Sequence, residues 1–235
     1  NTIRLYHVPP AGFRDLAAAF DLKLLVGVPW AQHIRFLDTR EDRQEVRRRV
    51  REAAISMRGA TNLLALLVGN EISPQIVRWY GPARIEAFLK ELMQEVKDVD
   101  PDALVSYANF PMTEFLQLDF LDFLSFNVYL HREADFRRYV ARLQNLSGFK
   151  PLLLTEFGFD SFREGEAEQA RVVSTTAAAA AEMGTAGTVV FSYTDEWFTG
   201  GHEIDDWAFG LAPRPRPHQN PTHQDQQENR PHTPQ

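Results

Sequence analysis

Strand-like and helix-like segments alternate along the chain, and this alternation limits the available folds more than any other feature of the sequence. The apolar segments predicted to be strands are residues 2–9, 22–31, 62–72, 103–111, 120–131, 150–159 and 185–198. Most of them are followed by a helical pattern, which is typical of parallel βαβ units. Their nearly continuous apolar character indicates a sheet that is covered on both faces. We therefore predict an α/β fold, either a (β/α) barrel or a doubly wound open sheet.

Several of these predicted strands end on polar side chains. The segment LLALLVGNEIS runs from apolar residues into Asn70 and Glu71, and the segment KPLLLTEFGF runs into Glu156. Barrels of parallel strands place their active sites at this end, whereas the glycine-rich phosphate loop of a nucleotide fold is missing after the first strand. Three βα units fit between the two glutamates, so both carboxylates would face the mouth of one barrel. Two carboxyl groups, one protonated and one ionised, are the minimal machinery of glycoside hydrolysis.

The Asn70-Glu71 pair, with Glu156 ending a strand three units later, resembles the clan A glycoside hydrolases. The segments TIRLYHVPP, LLVGNEIS, LLTEFGFDS and DDWAFGL are most similar to the family 2 catalytic barrel, the β-galactosidase and β-glucuronidase type. The resemblance implies a (β/α)8 TIM barrel over residues 1–211 that lacks strand 1 and helix 1, with nothing like helix 8 after Leu211. We expect a second copy of the chain or the C-terminal tail to cover the open seam, unless the strand count is short by one.

The same resemblance assigns roles to individual residues. Glu71 would be the acid/base and Glu156 the nucleophile of a retaining hydrolase that cleaves β-linked glucoside- or galactoside-type bonds without a cofactor. Asn70 would hydrogen-bond the 2-hydroxyl of the sugar, and Arg4 would help to keep the nucleophile ionised. The further residues predicted to contact the substrate or the nucleophile are Tyr129, Trp197, His7 and Asn127.

Structural roles remain open for most of these residues. Glu71 alone fits a helix cap or a surface ion pair, and Asn70 fits a turn. Tyr129 also fits packing at the barrel rim, and Arg4 also fits a structural ion pair. Trp197 fits a core position, since large aromatic side chains bury well.

The composition narrows the classes of partner and chemistry. A formal net charge of −7 argues against nucleic acid binding, and no apolar run reaches the roughly 18 residues of a membrane span. The histidines lack metal-ligand spacing, the four lysines do not end strands as a Schiff base would need, and no G-x-S-x-G motif is present. We therefore predict no metal, and the resemblance to glycoside hydrolases implies an oligo- or polysaccharide as the partner. Residues 212–235, rich in Pro, Gln, His and Asn, are predicted to be a disordered tail.

Three other functions remain compatible with this sequence. The VGNE and TE-F-G segments are also similar to bacterial β-1,3-glucanases of the same clan, which would make the chain a β-glucan endo-hydrolase. A transglycosylase would use the same residues but pass the sugar to another sugar. A non-catalytic carbohydrate-binding barrel would keep the aromatic platforms without turnover. The sequence does not indicate a cellular location, although the chain opens directly on a predicted strand without a signal-peptide pattern.

Overall fold

The computed structural model describes residues 1–199, 202–204 and 206–212. The chain divides into two compact units, residues 1–191 and residues 192–235. The predicted division at residue 212 stays a prediction, because nearly all of the predicted tail, residues 213–235, lies outside the described residues. No helix in the described ranges is both long enough and apolar enough to cross a membrane.

The first unit contains one sheet of seven parallel strands in sequential order. The strands are Thr2–Leu5 (β1), Lys23–Gly27 (β2), Leu63–Asn70 (β3), Val105–Asn109 (β4), Leu124–Asn127 (β5), Leu152–Phe157 (β6) and Gly187–Val190 (β7). The two edge strands, β1 and β7, approach each other, although no ladder joins them in the described part of the chain. The sheet therefore forms a nearly closed barrel, and the predicted incomplete (β/α)8 fold is confirmed.

Helices connect most of the successive strands. They are Ala11–Ala19 (α1), Arg40–Met57 (α2), Pro74–Tyr80 (α3), Pro82–Val99 (α4), Glu133–Ser147 (α5), Ser161–Glu164 (α6) and Glu166–Glu182 (α7), with a 3₁₀ turn at Pro111–Thr113. Helix α2 shows how the sequence specifies them. Its N-cap Thr39 accepts a hydrogen bond from the backbone of Asp42 at 3.0 Å, and Val46 and Val50 recur on its buried face.

Side chains alternate along the strands and so separate an outer core from the interior of the barrel. Leu24 and Val26 pack in the large cluster that the helices cover, whereas Leu25 packs with Ala65 in a small interior cluster. Arg4 lies opposite Leu25 in the β1–β2 ladder. Because residues paired across a ladder share a face, the side chain of Arg4 enters the interior of the barrel.

The predicted boundaries of the last strand, residues 185–198, are wrong. Strand β7 ends at residue 190, and the second unit contains an antiparallel hairpin of Trp197–Thr199 (β8) and His202–Ile204 (β9). Between them, the backbone N–H of Ser192 donates to the carbonyl of Phe209 at 3.1 Å. This bond pairs the segment with the late part of the chain instead of extending β7. Strand propensity does not encode such a choice of partner, which depends on tertiary context.

Candidate active site

Four polar side chains meet at one end of the barrel because the strands that carry them are parallel. Arg4 lies on β1, Asn70 ends β3, Asn127 ends β5 and Glu156 lies near the end of β6. Asn127 and Glu156 are neighbours in the β5–β6 register. Glu71 is the first residue after β3. Strands that are distant in the sequence thus bring these groups to the barrel mouth.

Arg4 is the centre of the site. Its guanidinium is almost completely buried, and Nη1 donates to Oε1 of Glu156 at 2.7 Å and to the carbonyl of Thr155 at 2.7 Å. Nη1 also lies 3.2 Å from Oδ1 of Asn127, while Nη2 donates to Oδ1 of Asn70 at 2.7 Å. One buried cation therefore links strands β1, β3, β5 and β6. A buried charge needs such a set of partners to offset its loss of hydration.

Glu156 accepts hydrogen bonds from three side chains. Besides Arg4, the hydroxyl of Tyr6 donates to Oε1 at 2.8 Å and the hydroxyl of Tyr129 donates to Oε2 at 2.8 Å. Burial raises the pKa of both tyrosines, and the charge of Glu156 raises it further, so both hydroxyls stay protonated and donate. Hydrogen bonds of this kind stabilise a carboxylate anion.

Glu71 has a different environment. Its Oε1 accepts one hydrogen bond, from Nδ2 of Asn127 at 2.8 Å. Burial raises the pKa of Glu71, the hydrogen bond from Asn127 lowers it, the charge of Glu156 raises it and the charge of Arg4 lowers it, with a net rise. This side chain therefore holds a proton at higher pH than an ordinary glutamate.

The two asparagine amides have one orientation that satisfies their neighbours. Arg4 is only a donor, so the amide atoms that face it must be the oxygens of Asn70 and Asn127. The hydroxyl of Thr155 also donates to Oδ1 of Asn127 at 2.8 Å. Nδ2 of Asn127 is thereby directed at Glu71. No described residue accepts from Nδ2 of Asn70, which leaves this donor available to a ligand.

The backbone at Glu71 is held in an uncommon conformation. Glu71 has a φ of 49°, a positive value that residues other than glycine seldom adopt. The neighbouring peptides fix it, because the Glu71 N–H donates to the carbonyl of Ala108 at 2.9 Å and the Ile72 N–H donates to the hydroxyl of Tyr107 at 2.7 Å. Strain of this kind costs about 1–3 kcal/mol and is concentrated at functional sites. The conformation turns Glu71 out of the line of β3.

A cleft of about 240 Å³ adjoins the network. Its lining residues are Arg4, Tyr6, His7, Gly27, Val28, Pro29, Trp30, Gln32, Leu67, Gly69 and Asn70. The indole of Trp30 is buried and donates to the carbonyl of Val68 at 2.8 Å, which makes it part of the wall. Oε1 of Gln32 accepts the backbone N–H of Asn70. Arg4, Tyr6 and Asn70 belong both to the network and to the lining of this cleft.

The structure brings together six of the residues that the sequence singled out, namely Glu71, Glu156, Asn70, Asn127, Arg4 and Tyr129. His7 is exposed and lines the cleft, but no hydrogen bond joins it to the network. The side chain of Trp197 lies outside the part of the chain whose side chains are described. Within that part, no group of His, Cys, Asp and Glu side chains is arranged to hold a metal ion.

Sequence reasoning missed Tyr6, Thr155 and Tyr107. A signal for Tyr6 exists, because residues two apart on a strand point to the same face and Arg4 precedes it by two. Thr155 and Tyr107 carry no such signal. In contrast, Asn109 ends β4 like the site residues, but its Nδ2 donates to the carbonyl of Thr113 at 3.1 Å and fixes its own loop.

Comparisons with known proteins show likeness in structure but not in sequence. No protein-family model matches the chain, and no curated protein matches it. Bacteroides uniformis β-glucuronidase 2, covalently bound to cyclophellitol-6-carboxylate aziridine, has a TM-score of 0.77 at 15% identity, over 91% of this chain and 29% of that chain. A β-glucuronidase from Ruminococcus gnavus, in complex with D-glucuronic acid, has a TM-score of 0.75 at 15% identity, over 91% of this chain and 40% of that one.

An FMN-binding β-glucuronidase from Facaelibacterium prausnitzii L2-6 has a TM-score of 0.73 at 18% identity, over 91% of this chain and 36% of that chain. This chain thus spans between 29% and 40% of the length of these structures. At such low identity the likeness concerns the fold. The chain has the barrel fold that these β-glucuronidase structures contain.

Proposed function

We propose that this chain is a retaining β-glycosidase in which Glu71 is the acid/base and Glu156 is the nucleophile. One observation carries the proposal: the two glutamates at one barrel mouth differ in their hydrogen-bond donors and in the effect of burial. Glu156 pairs with the guanidinium of Arg4 and accepts hydrogen bonds from two tyrosines, whereas burial raises the pKa of Glu71. Retaining hydrolysis needs this contrast. The likeness of the fold to β-glucuronidase barrels supports it.

In the first step, a carboxylate oxygen of Glu156 attacks the anomeric carbon, and the bond from that carbon to the leaving oxygen breaks. The leaving oxygen takes both electrons of that bond and the proton of Glu71. Nδ2 of Asn70 would donate to the 2-hydroxyl, a contact that strengthens as the sugar acquires oxocarbenium character. The product of this step is a glycosyl ester on Glu156 and an ionised Glu71.

In the second step, a water molecule attacks the anomeric carbon and gives its proton to Glu71. The ester bond to Glu156 breaks, and its electron pair returns to the carboxylate. Two inversions at one carbon retain the anomeric configuration. Asn127 would keep Glu71 in position during both steps. Its Nδ2 donates to Glu71, and its Oδ1 accepts a hydrogen bond from Arg4.

The proposed substrate is a β-linked oligo- or polysaccharide or an aryl β-glycoside. Glucosides and galactosides are the first substrates to test. Glucuronides should be tested as well, because the structural neighbours are named β-glucuronidases. Products from an added sugar acceptor would identify transglycosylation. Internal cleavage of a β-glucan would identify an endo-hydrolase.

The experiment combines activated aryl β-glycosides with nucleophile rescue. Wild-type protein should release the aryl alcohol and a sugar whose anomeric configuration is retained. NMR of the first sugar product measures that configuration. Glu156→Ala should lose several orders of magnitude in turnover, and azide should restore activity and give an α-glycosyl azide. Glu182→Ala serves as the control, since that carboxylate lies at the end of α7 and pairs with Arg137. Normal turnover in Glu156→Ala would refute the assignment, and glycan binding without turnover by the wild type would favour a non-catalytic barrel.

A further inference from the structure

Tyr6 donates to the proposed nucleophile, but the two steps of the scheme above give its hydroxyl no distinct effect on either rate. It follows β1, and its hydroxyl donates to Oε1 of Glu156 at 2.8 Å. The guanidinium carbon of Arg4 lies 4.5 Å from the centre of its ring, and the ring of Phe191 packs edge-on against it at 6.3 Å. One cationic neighbour and one aromatic neighbour therefore fix the ring of Tyr6, so that its hydroxyl points at the carboxylate of Glu156.

The two oxygens of Glu156 are not equivalent. Oε1 accepts from Nη1 of Arg4 at 2.7 Å and from Tyr6 at 2.8 Å, whereas Oε2 accepts only from Tyr129 among the described residues. Each carboxylate oxygen offers about two acceptor positions in the plane of the group. Both positions on Oε1 are thus occupied, and Oε2 retains one.

We propose that Tyr6 is a positioning residue that commits Oε1 of Glu156 to be the carbonyl oxygen of the glycosyl ester and thereby speeds hydrolysis of that ester. This inference rests on the proposed function. A lone pair of Oε2 forms the bond to the anomeric carbon, and the electron pair of the bond to the leaving group departs with the leaving oxygen, which takes the proton of Glu71. In the second step, water replaces Oε2 at the anomeric carbon and gives a proton to Glu71, and the electron pair of the broken ester bond returns to Glu156.

The charge on Glu156 decides how Tyr6 affects each step. Negative charge leaves the carboxylate during the first step, so the hydrogen bond from Tyr6 weakens and opposes that step. Negative charge returns during the second step, so the same hydrogen bond strengthens and lowers the barrier. Hydrogen bonds to charged groups are worth more than those to neutral groups, and the difference corresponds to roughly a tenfold change in rate. Loss of the hydroxyl should therefore slow deglycosylation selectively.

The experiment compares Tyr6→Phe with wild type on the best dinitrophenyl β-glycoside, a substrate whose leaving group makes deglycosylation limiting. Phenylalanine keeps the contacts with Arg4 and Phe191, and thermal unfolding verifies that the variant folds. We expect kcat to fall about 10-fold, KM to fall by at least as much and kcat/KM to stay level or rise. Tyr80→Phe is the matched control, because that hydroxyl lies on α3 and bonds Asp38 at 2.7 Å.

A direct measurement of the second step uses a 2-deoxy-2-fluoro glycoside to trap the glycosyl ester. The trapped Tyr6→Phe protein should regain activity about 10-fold more slowly than trapped wild type. An equal fall in kcat and kcat/KM, unchanged kinetics, or an unchanged reactivation rate would overturn the role of Tyr6. Absence of a label on Glu156 in wild type would instead overturn the proposed function, and the role of Tyr6 with it.

Discussion

Removal of the Arg4 guanidinium should be among the most destabilising single changes in the barrel. Arg4→Met keeps an apolar stem of similar length but leaves the carboxylate of Glu156, whose residue is only 8% exposed, without its cation. The two tyrosine hydroxyls remain as donors to it. Breaking a buried ion pair from one side costs about 3–5 kcal/mol, because the remaining charge stays desolvated. For a unit of about 190 residues, this corresponds to a fall in the melting temperature on the order of 10 °C.

The double variant Arg4→Met, Glu156→Gln separates the charge from the packing. If the cost arises from the uncompensated carboxylate, the neutral amide should restore about 2–3 kcal/mol of the lost free energy of unfolding. Urea denaturation followed by circular dichroism at pH 7 measures both variants against wild type. Arg49→Met is the control, and its midpoint should barely move because the pair that Arg49 forms with Glu45 is exposed to water.

Two results would refute this reasoning. A cost below about 1 kcal/mol for Arg4→Met would mean that solvent or rearrangement compensates Glu156 without the cation. Strict additivity in the double variant would mean that the two side chains do not interact energetically, whatever their distance.

The remaining predictions concern the acid/base side of the site. Glu71→Gln should lower turnover by about 10²–10⁴ for a poor leaving group and far less for dinitrophenolate, measured across a series of aryl glycosides. The folded pKa of Glu71 is raised, so its contribution to stability is present below the unfolded pKa and is lost as the pH rises through the folded value. Glu71→Gln should therefore gain stability relative to wild type as the pH rises above 4.5 in urea titrations. Asn127→Leu removes the hydrogen bond that lowers this pKa, so the alkaline limb of the kcat/KM profile should move to higher pH, and a shift to lower pH would contradict the assigned contact. Gly69→Ala would place a Cβ 3.0 Å from a side-chain oxygen in the cleft wall and 3.2 Å from both Trp30 and Tyr107. It should therefore lower the free energy of unfolding by about 1–3 kcal/mol, measured by thermal unfolding. An unchanged stability would show that these side chains move to accommodate the added methyl group.

The sequence alone determined the class of the fold and indicated where the candidate site would lie. Apolar strands alternating with amphipathic helices allow few arrangements other than parallel βα units, and parallel strands bring their C-terminal ends to one edge. Glu71 and Glu156 were therefore predictable as neighbours from their places at the ends of strands. The place of Arg4 beside Glu156 was expected from the family resemblance, whereas its hydrogen bonds to Asn70, Asn127 and Thr155 were not predicted.

Only the tertiary structure decided how these groups share protons and charge. Glu156 accepts hydrogen bonds from Arg4 and two tyrosines, whereas Glu71 has a single side-chain donor and its burial raises its pKa. These contacts join strands that are far apart in the sequence. The limits of the last strand were likewise set by bonds to residues 209–212. Local periodicity specifies which face a side chain occupies, because it depends on the backbone within a few residues. It does not specify which atom a side chain meets across the barrel, because the curvature and register of the whole sheet fix that distance.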